Sequence, residues 1–161
     1  GATVIGTMGS PEKAELARAH GCQHPVVYTR EDFAAKVKEI TNGGGVDVVY
    51  DSVGQSTFMK SLDCLRPMGM MVSFGQSSGP MPAFDLAILA QKGSLFLTRP
   101  TLMTYTAKRA DLLAHAHDLF EVIRNGAVKV EVGRTYPLAE ASRAHRDLEG
   151  RKTTGSSVFI L

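Results

Sequence analysis

Four segments of this chain carry residue types suited to binding a flat or phosphorylated ligand. They are glycine-rich or hydroxyl-bearing, and they follow short apolar runs: residues 6–10, Tyr28, residues 51–54 and residues 74–79. Glycine lets a ligand approach the backbone closely because it has no side chain. Ligands of parallel α/β sheets bind outside the carboxyl ends of the strands, so we expect these segments to meet at one sheet edge.

Ser10, Pro11 and Lys13 suggest an anion site at a helix start. Ser is a favoured N-cap and Pro a favoured first helical residue, and the free amides there suit a phosphate. The helix dipole favours an acidic side chain in the first turn, so Lys13 is unexpected. A carboxylate would bind a ribose 2′-hydroxyl at this strand end, but residues 7–10 hold none. A 2′-phosphate fits these residues, and the alternative is an ordinary cap beside a surface lysine.

The strand predicted at residues 46–50 organises the surrounding elements. Its β-branched and aromatic residues lie between three glycines and Asp51, which predicts a short strand buried on both faces. A helical pattern begins at Ser56, and strand, turn and helix form the repeat unit of a parallel sheet. Further strands are predicted at residues 2–7, 25–28, 70–75 and 94–98. The fold class is therefore α/β with right-handed crossovers.

Capping and breaking residues predict the ends of the helices. The first helix begins after Ser10 and stops at Gly21, and Thr29 caps the second. The helix from Ser56 includes Leu65 on its apolar face, and a loop follows at Pro80 and Pro82.

The pattern changes after residue 105. A long helix is predicted at residues 106–124, a half-exposed alternating strand at 128–132, a helix at 138–148 and a last strand at 157–161. The alternating strand and the terminal strand do not match the pattern of the parallel sheet predicted for the preceding residues. The last quarter of the chain is therefore expected to belong to a second domain.

Composition excludes several classes of function. Hydrophobic residues make up 43% and charged residues 21% of the chain, with a net charge of +2, which gives no basic surface for nucleic acid. Cys22 and Cys64 form no CxxC motif, so neither a disulfide framework nor a zinc site is expected. A reducing, cytoplasmic compartment is expected instead. No membrane span, signal peptide, GxGxxG motif or catalytic triad is recognisable.

Several segments resemble the quinone oxidoreductase branch of the medium-chain dehydrogenase/reductase superfamily, which includes NADPH:quinone reductases and ζ-crystallin. The resemblance covers essentially the whole chain. It is carried by VDVVYDSVG at residues 46–54, SLDCL at 61–65, MMVSFG at 70–75, QKGSL at 91–95, TRP at 98–100, AH at 144–145 and RKTTG at 151–155.

The resemblance implies an NADPH site and no zinc. Lys13 and Tyr28 match positions that hold the 2′-phosphate. Gly6, Thr7 and Ser10 would line the adenosine side, and Val53 and Gly54 would lie under the cofactor. The turn beside the nicotinamide would comprise Phe74, Gly75, Ser77 and Ser78. Arg151 would reach back to the cofactor, and the strand near residues 94–100 would pair across a homodimer.

The resemblance also implies that residues 1–105 are a partial NADP-binding domain with an incomplete Rossmann-type doubly wound sheet. Residues 106–161 would be the crossover helix and the segment returning to the absent catalytic domain. The family's first strand, glycine-rich turn, first helix and N-terminal catalytic domain would precede Gly1, so the chain is expected to be a C-terminal fragment, inactive alone. The missing strand would leave a lane of about 10 Å, two strand spacings, beside residues 46–50. We expect these edges to close directly by rearrangement, or another segment or a second chain to fill the lane.

The parent activity implied by the resemblance is hydride transfer from NADPH to a quinone, by a zinc-independent reductase that makes no use of nucleic acid or membrane. Two alternatives stay open. One is an NADPH-dependent reductase of enones or enoyl thioesters, and the other is a non-catalytic, crystallin-like nucleotide-binding protein.

Overall fold

Residues 1–81 and 83–161 are described by a computed structural model, and they divide into two compact units, Gly1–Thr101 and Leu102–Leu161. Short parallel strands alternate with helices in the first unit, which confirms the predicted α/β class. The assignment of residues 1–105 and 106–161 to separate functional roles stays a prediction. Pro82, part of a predicted loop, lies outside the described residues.

The first unit holds five strands and four helices within the described residues. In chain order they are β1 (Ile5–Met8), α1 (Pro11–Ala19), β2 (His24–Val27), α2 (Phe33–Ile40), β3 (Val46–Asp51), α3 (Phe58–Asp63), β4 (Leu65–Ser73), α4 (Ala87–Gln91) and β5 (Phe96–Thr98). Ser10 caps α1 and Pro11 opens it, as predicted, and Gly21 follows its end with a φ of 90°.

Two parallel sheets form in this unit, one of order β1-β2 and one of order β3-β4-β5. Ile5 of β1 packs against the same buried cluster, Ala34, Val37 and Cys64, that Val46 and Val49 of β3 contact. Because both sheets rest on this cluster, they stay in place without pairing to each other among the described residues. The predicted closing of the two edges is therefore wrong, while pairing with another chain stays a prediction.

The main core lies under β3 and β4. Phe58 and Leu62 of α3 pack with Met71, Leu65 and Leu95, and Phe58 contacts Phe84 with ring centroids 5.1 Å apart. Burying side chains of this size removes roughly 1.5–3 kcal/mol each of unfavourable apolar hydration. This cluster fixes α3 against the ends of β3 and β4, where the candidate site lies.

Strand β3 is buried on one face only, which corrects the prediction of two buried faces. Val49 packs against the core, while Val48 is 39% and Tyr50 73% exposed. Side chains alternate along a strand, and α2 and α3 contribute to the clusters on the Val49 side. The apolar run alone gave no sign that the second face would lack such cover.

Two further boundaries differ from their predictions. Asp32, not Thr29, caps α2, because its carboxylate accepts the amides of Ala34 and Ala35. Leu65 begins β4 instead of continuing α3. Val46 pairs with Leu65 and Val48 with Met70, so the intervening residues of β4 bulge, a geometry that helical periodicity does not reveal.

The second unit contains α5 (Leu102–Tyr105), α6 (Arg109–Arg124), β6 (Val132–Pro137), a 3₁₀ turn (Leu138–Glu140), α7 (Ala141–Glu149) and β7 (Ser156–Ile160). The prediction of a strand at residues 128–132 is wrong. The strand forms from Val132 onward instead, because that segment pairs in parallel with β7. The long helix predicted at residues 106–124 corresponds to α6, which begins three residues later, and the short helix α5 before it was not predicted. Among the described residues, no helix is both long and apolar enough to cross a membrane.

Candidate functional site

The ends of β1 and β2 converge on the start of α1. The Ser10 hydroxyl accepts the Lys13 amide at 3.4 Å, and the Thr29 hydroxyl donates to the Gly9 carbonyl at 3.2 Å. A Cβ added to Gly9 would lie 3.1 Å from the Tyr28 hydroxyl oxygen. The bare backbone of Gly9 therefore leaves room for Tyr28 beside a capped helix N-terminus, an arrangement suited to an anionic group.

Gly6 and Thr7 play different parts within β1. A Cβ on Gly6 would come within 2.9 Å of the Cys22 sulfur, so glycine permits close packing inside the unit at this position. Thr7 is exposed at the next position. The structure thus gives Gly6 a packing role, while contact of either residue with a ligand stays a prediction.

The turns after β3 and β4, residues 51–54 and 74–79, are joined by main-chain hydrogen bonds, and we call them the interlocked turns. The Asp51 carbonyl accepts from the amides of Phe74 at 2.9 Å and Gly75 at 3.3 Å. The Ser78 amide and hydroxyl both donate to the Val53 carbonyl, at 2.8 and 2.7 Å. The predicted residues Val53, Gly54, Phe74, Gly75, Ser77 and Ser78 are therefore brought together.

Glycine is required twice where these turns meet. Gly54 has a φ of 89°, in the left-handed region that favours glycine, and an added Cβ would lie 3.0 Å from the Gln76 Cα. A Cβ on Gly75 would lie 2.7 Å from the Ser52 Cα. The backbones touch at both positions, so the spacing between the turns leaves no room for larger residues.

Asp51 is the buried charge at the centre of the interlocked turns, with 4% of its surface exposed. One carboxylate oxygen accepts the amides of Val53 and Gly54, and the other accepts the hydroxyls of Thr57 and Ser61. Burial by itself would raise the pKa of Asp51, but the hydrogen bonds outweigh it and hold the pKa below its ordinary value. The carboxylate is therefore ionised at neutral pH.

Arg99 also supports the second turn. Its Nη1 donates to the carbonyls of Ser73 and Gly75, at 2.9 Å each. A cavity of about 350 Å³ adjoins these contacts, with Gln76, Phe84 and Arg99 among its lining residues. Arg99 has no predicted role, because the Thr-Arg-Pro motif does not show which backbone its guanidinium would reach.

Asp51 is predicted only as part of the ligand-binding turn at residues 51–54, with no role of its own. The available signal was an acidic residue followed within three positions by glycine, with Thr57 and Ser61 four residues apart on one face of the next helix. A short carboxylate readily accepts amides two and three residues ahead of it. Only the fold adds the two hydroxyls from the helix region.

Arg151 lies in the second unit, in the turn after α7, where it has a φ of 56°. Its predicted contact with the cofactor stays a prediction. Within residues 1–81 and 83–161, no three His, Cys, Asp or Glu side chains come together as metal ligands.

We expect Cys64 to resist alkylation in the folded protein. Burial raises the pKa of its thiol to about 11, with the negative charges of Asp63 and Asp32 adding to the effect. At pH 8 the thiolate fraction falls at least about a hundredfold below that of a free cysteine of pKa ~8.5. Iodoacetamide labelling of a Cys22→Ser variant, folded and in urea, measures this, and equal rates in both states would contradict it.

A family model described as zinc-binding dehydrogenase matches residues 20–158 of the chain. The chain belongs to the zinc-binding dehydrogenase family. The described side chains do not supply the ligand set that this family's name implies.

Two kinds of reductase are among the proteins that this chain resembles in sequence. A quinone oxidoreductase of Pseudomonas aeruginosa is 49% identical over 99% of this chain and 49% of its own length. A 2-haloacrylate reductase of a Burkholderia species is 48% identical over 99% of this chain and 48% of its own. The chain therefore spans about half the length of these curated relatives.

A solved structure is similar over the whole chain. The Escherichia coli quinone oxidoreductase, crystallised with NADPH, is 48% identical and superimposes with a TM-score of 0.96, covering 100% of this chain and 50% of that one. The resemblance to quinone oxidoreductases predicted from the sequence motifs is confirmed.

Proposed function

We propose that this chain is the cofactor-binding portion of an NADPH-dependent quinone oxidoreductase that transfers hydride from NADPH to a quinone. The similarity to a quinone oxidoreductase crystallised with NADPH, with a TM-score of 0.96 over the full chain, is the observation that carries the proposal. The residues at the strand ends fit such a cofactor, as two features of the first unit indicate.

The first feature is the group formed by Gly9, Ser10 and Tyr28 at the start of α1. The α1 N-terminus offers amides and a positive dipole end, and Lys13 in its first turn adds a charge. In the proposed complex these groups bind the 2′-phosphate and the adenosine side, with Gly6 and Thr7 alongside. The absence of a carboxylate at residues 7–10 supports selection of NADPH over NADH.

The second feature is the pair of interlocked turns. Val53 and Gly54 would lie under the nicotinamide, with Phe74, Gly75, Ser77 and Ser78 beside it, and Arg151 would reach back to the cofactor. When bound, the nicotinamide supplies the hydride. The chain would hold the nicotinamide and the acceptor at the distance and orientation that hydride transfer requires. Such positioning accelerates the transfer without an acid or base from these turns.

Reduction of an activated alkene is a second candidate. The 2-haloacrylate reductase is nearly as similar to this chain as the quinone oxidoreductases are, at 48% identity. Hydride transfer to an alkene conjugated with a carbonyl uses the same donor position. The two activities share the cofactor site and differ in the acceptor pocket.

We also infer that the parent protein is a homodimer paired through the segment near residues 94–100. Among the residues that the structure describes, strand β5 is the outer strand of its sheet and pairs with β4 alone. A strand edge of this kind carries backbone groups that a second copy could pair with.

The test uses the full-length protein containing this chain. We expect NADPH to bind more tightly than NADH in calorimetric titrations, and NADPH oxidation to be faster with 1,4-benzoquinone than with 2-chloroacrylate. Faster turnover of 2-chloroacrylate would favour the alkene reductase. Tighter binding of NADH would contradict the 2′-phosphate assignment, and no turnover of either acceptor would contradict the proposed reaction.

A further inference from the structure

The buried carboxylate of Asp51 connects three parts of the first unit. Through one oxygen it holds the amides of Val53, at 2.8 Å, and Gly54, at 3.0 Å. Through the other it holds the hydroxyls of Thr57, at 2.7 Å, and Ser61, at 2.8 Å. Ser61 lies on α3, whose Phe58 and Leu62 belong to the main core. The first interlocked turn is thus fastened to the packed helix through one side chain.

The main chain of the same residue fastens the second interlocked turn. The Asp51 carbonyl accepts the amides of Phe74 and Gly75. Any displacement of Asp51 would therefore move both turns, and the close approach of Gly75 to the Ser52 backbone leaves no slack between them. Side chain and carbonyl together make Asp51 the common support of the proposed nicotinamide side.

We propose that Asp51 is a positioning residue for hydride transfer, whose ionised carboxylate fixes the two interlocked turns and thereby the orientation of the nicotinamide. This inference rests on the proposed function. Asp51 is buried beneath the turns and acts through Val53, Gly54 and Gly75. Its influence should fall on the reacting end of the cofactor and spare the 2′-phosphate end, which is held at β1, α1 and β2.

An Asp51→Asn variant keeps the shape of the side chain and removes its charge. The amide oxygen can still accept from Val53 and Gly54, but an NH₂ group replaces the acceptor that faces the Thr57 and Ser61 hydroxyls. The remaining hydrogen bonds also lose their charge assistance. We expect the turns to shift while the core stays folded.

The experiment compares wild type, Asp51→Asn and Asp47→Asn in the full-length protein. Asp47 lies on the same strand, and its carboxylate is exposed and pairs with Arg66. Calorimetry with 2′,5′-ADP, which carries the adenosine and its 2′-phosphate without nicotinamide, counts competent sites. Steady-state kinetics with NADPH and 1,4-benzoquinone then give kcat per competent site, and a thermal melt reports folding.

For Asp51→Asn we expect the affinity for 2′,5′-ADP to stay within about twofold, because distant sites contribute almost independently. We expect kcat per competent site to fall about 10- to 100-fold, as misplacement of a reacting group by an ångström does. The ratio of wild-type to variant rates should stay constant between pH 5 and 8, because the pKa of Asp51 is held below its ordinary value. Asp47→Asn should match wild type.

An unchanged kcat per competent site in Asp51→Asn would overturn the inference, since a purely structural residue changes only the number of folded sites. If that variant does not fold, the same measurements on a Thr57→Val variant test the inference. It removes one hydroxyl donor and keeps the carboxylate, so a lower rate per site supports the inference and a wild-type rate overturns it. Failure of wild type to bind 2′,5′-ADP would overturn the proposed function itself, and the inference with it.

Discussion

Replacing Lys13 by alanine in the full-length protein is expected to weaken NADPH binding by roughly 10- to 100-fold and to leave NADH binding nearly unchanged. A hydrogen bond to a charged group is worth roughly 1.5–3 kcal/mol, and about 1.4 kcal/mol corresponds to tenfold in affinity. Lys13 lies in the first turn of α1, next to the Ser10 cap. Because NADH lacks the 2′-phosphate, it should be insensitive to this charge.

Calorimetric titration of both nucleotides measures the effect, with Lys36→Ala as the matched control. Lys36 lies on α2 and pairs with Glu39, so its loss should alter neither affinity. An equal weakening of NADPH and NADH binding by Lys13→Ala would show that the lysine acts on a part of the cofactor that the two nucleotides share. That result would contradict the 2′-phosphate assignment.

The Gly75→Ala substitution is expected to destabilise the protein by about 1–3 kcal/mol, as overpacking does, and to weaken NADPH binding as well. The new Cβ would lie 2.7 Å from the Ser52 Cα, against backbone that cannot rotate away. Relief requires the interlocked turns to separate, which would disturb Val53 and Gly54. Affinity and stability should therefore fall together.

Urea denaturation and NADPH titration measure the two effects, with Gly44→Ala as the control. A Cβ on Gly44 would lie 3.2 Å from the Thr41 carbonyl oxygen, remote from the interlocked turns, so only a small stability change is expected and no change in affinity. Wild-type stability of Gly75→Ala would mean that the two backbones can part freely. The proposed rigidity of the site would then be wrong.

Local signals in the sequence were sufficient where a short segment decides its own structure. The Ser10 cap, Pro11 at the first helical position and Gly21 after α1 all have the predicted roles, because capping depends on residues a few positions apart. The parallel α/β class followed from the alternation of strand and helix patterns. The family motifs then located the turns after β3 and β4 as a candidate site.

Features that depend on distant partners could not be obtained this way. The exposure of Tyr50, the bulge in β4 and the start of β6 at Val132 each depend on which element covers or pairs with the segment. The same holds for Arg99, whose guanidinium reaches carbonyls about two dozen residues earlier. Periodicity describes one segment at a time and holds no information about these contacts.

By itself, then, the sequence determined the element types, the family resemblance and the position of the Asp-Ser-Val-Gly turn at the end of β3. Tertiary structure alone decided that this turn interlocks with the one after β4 and that Asp51 supports both. The physical reason is that a buried carboxylate needs hydrogen-bond donors, and the fold determines which residues supply them. Here two of the four donors to Asp51 are the hydroxyls of Thr57 and Ser61, which lie beyond the turn.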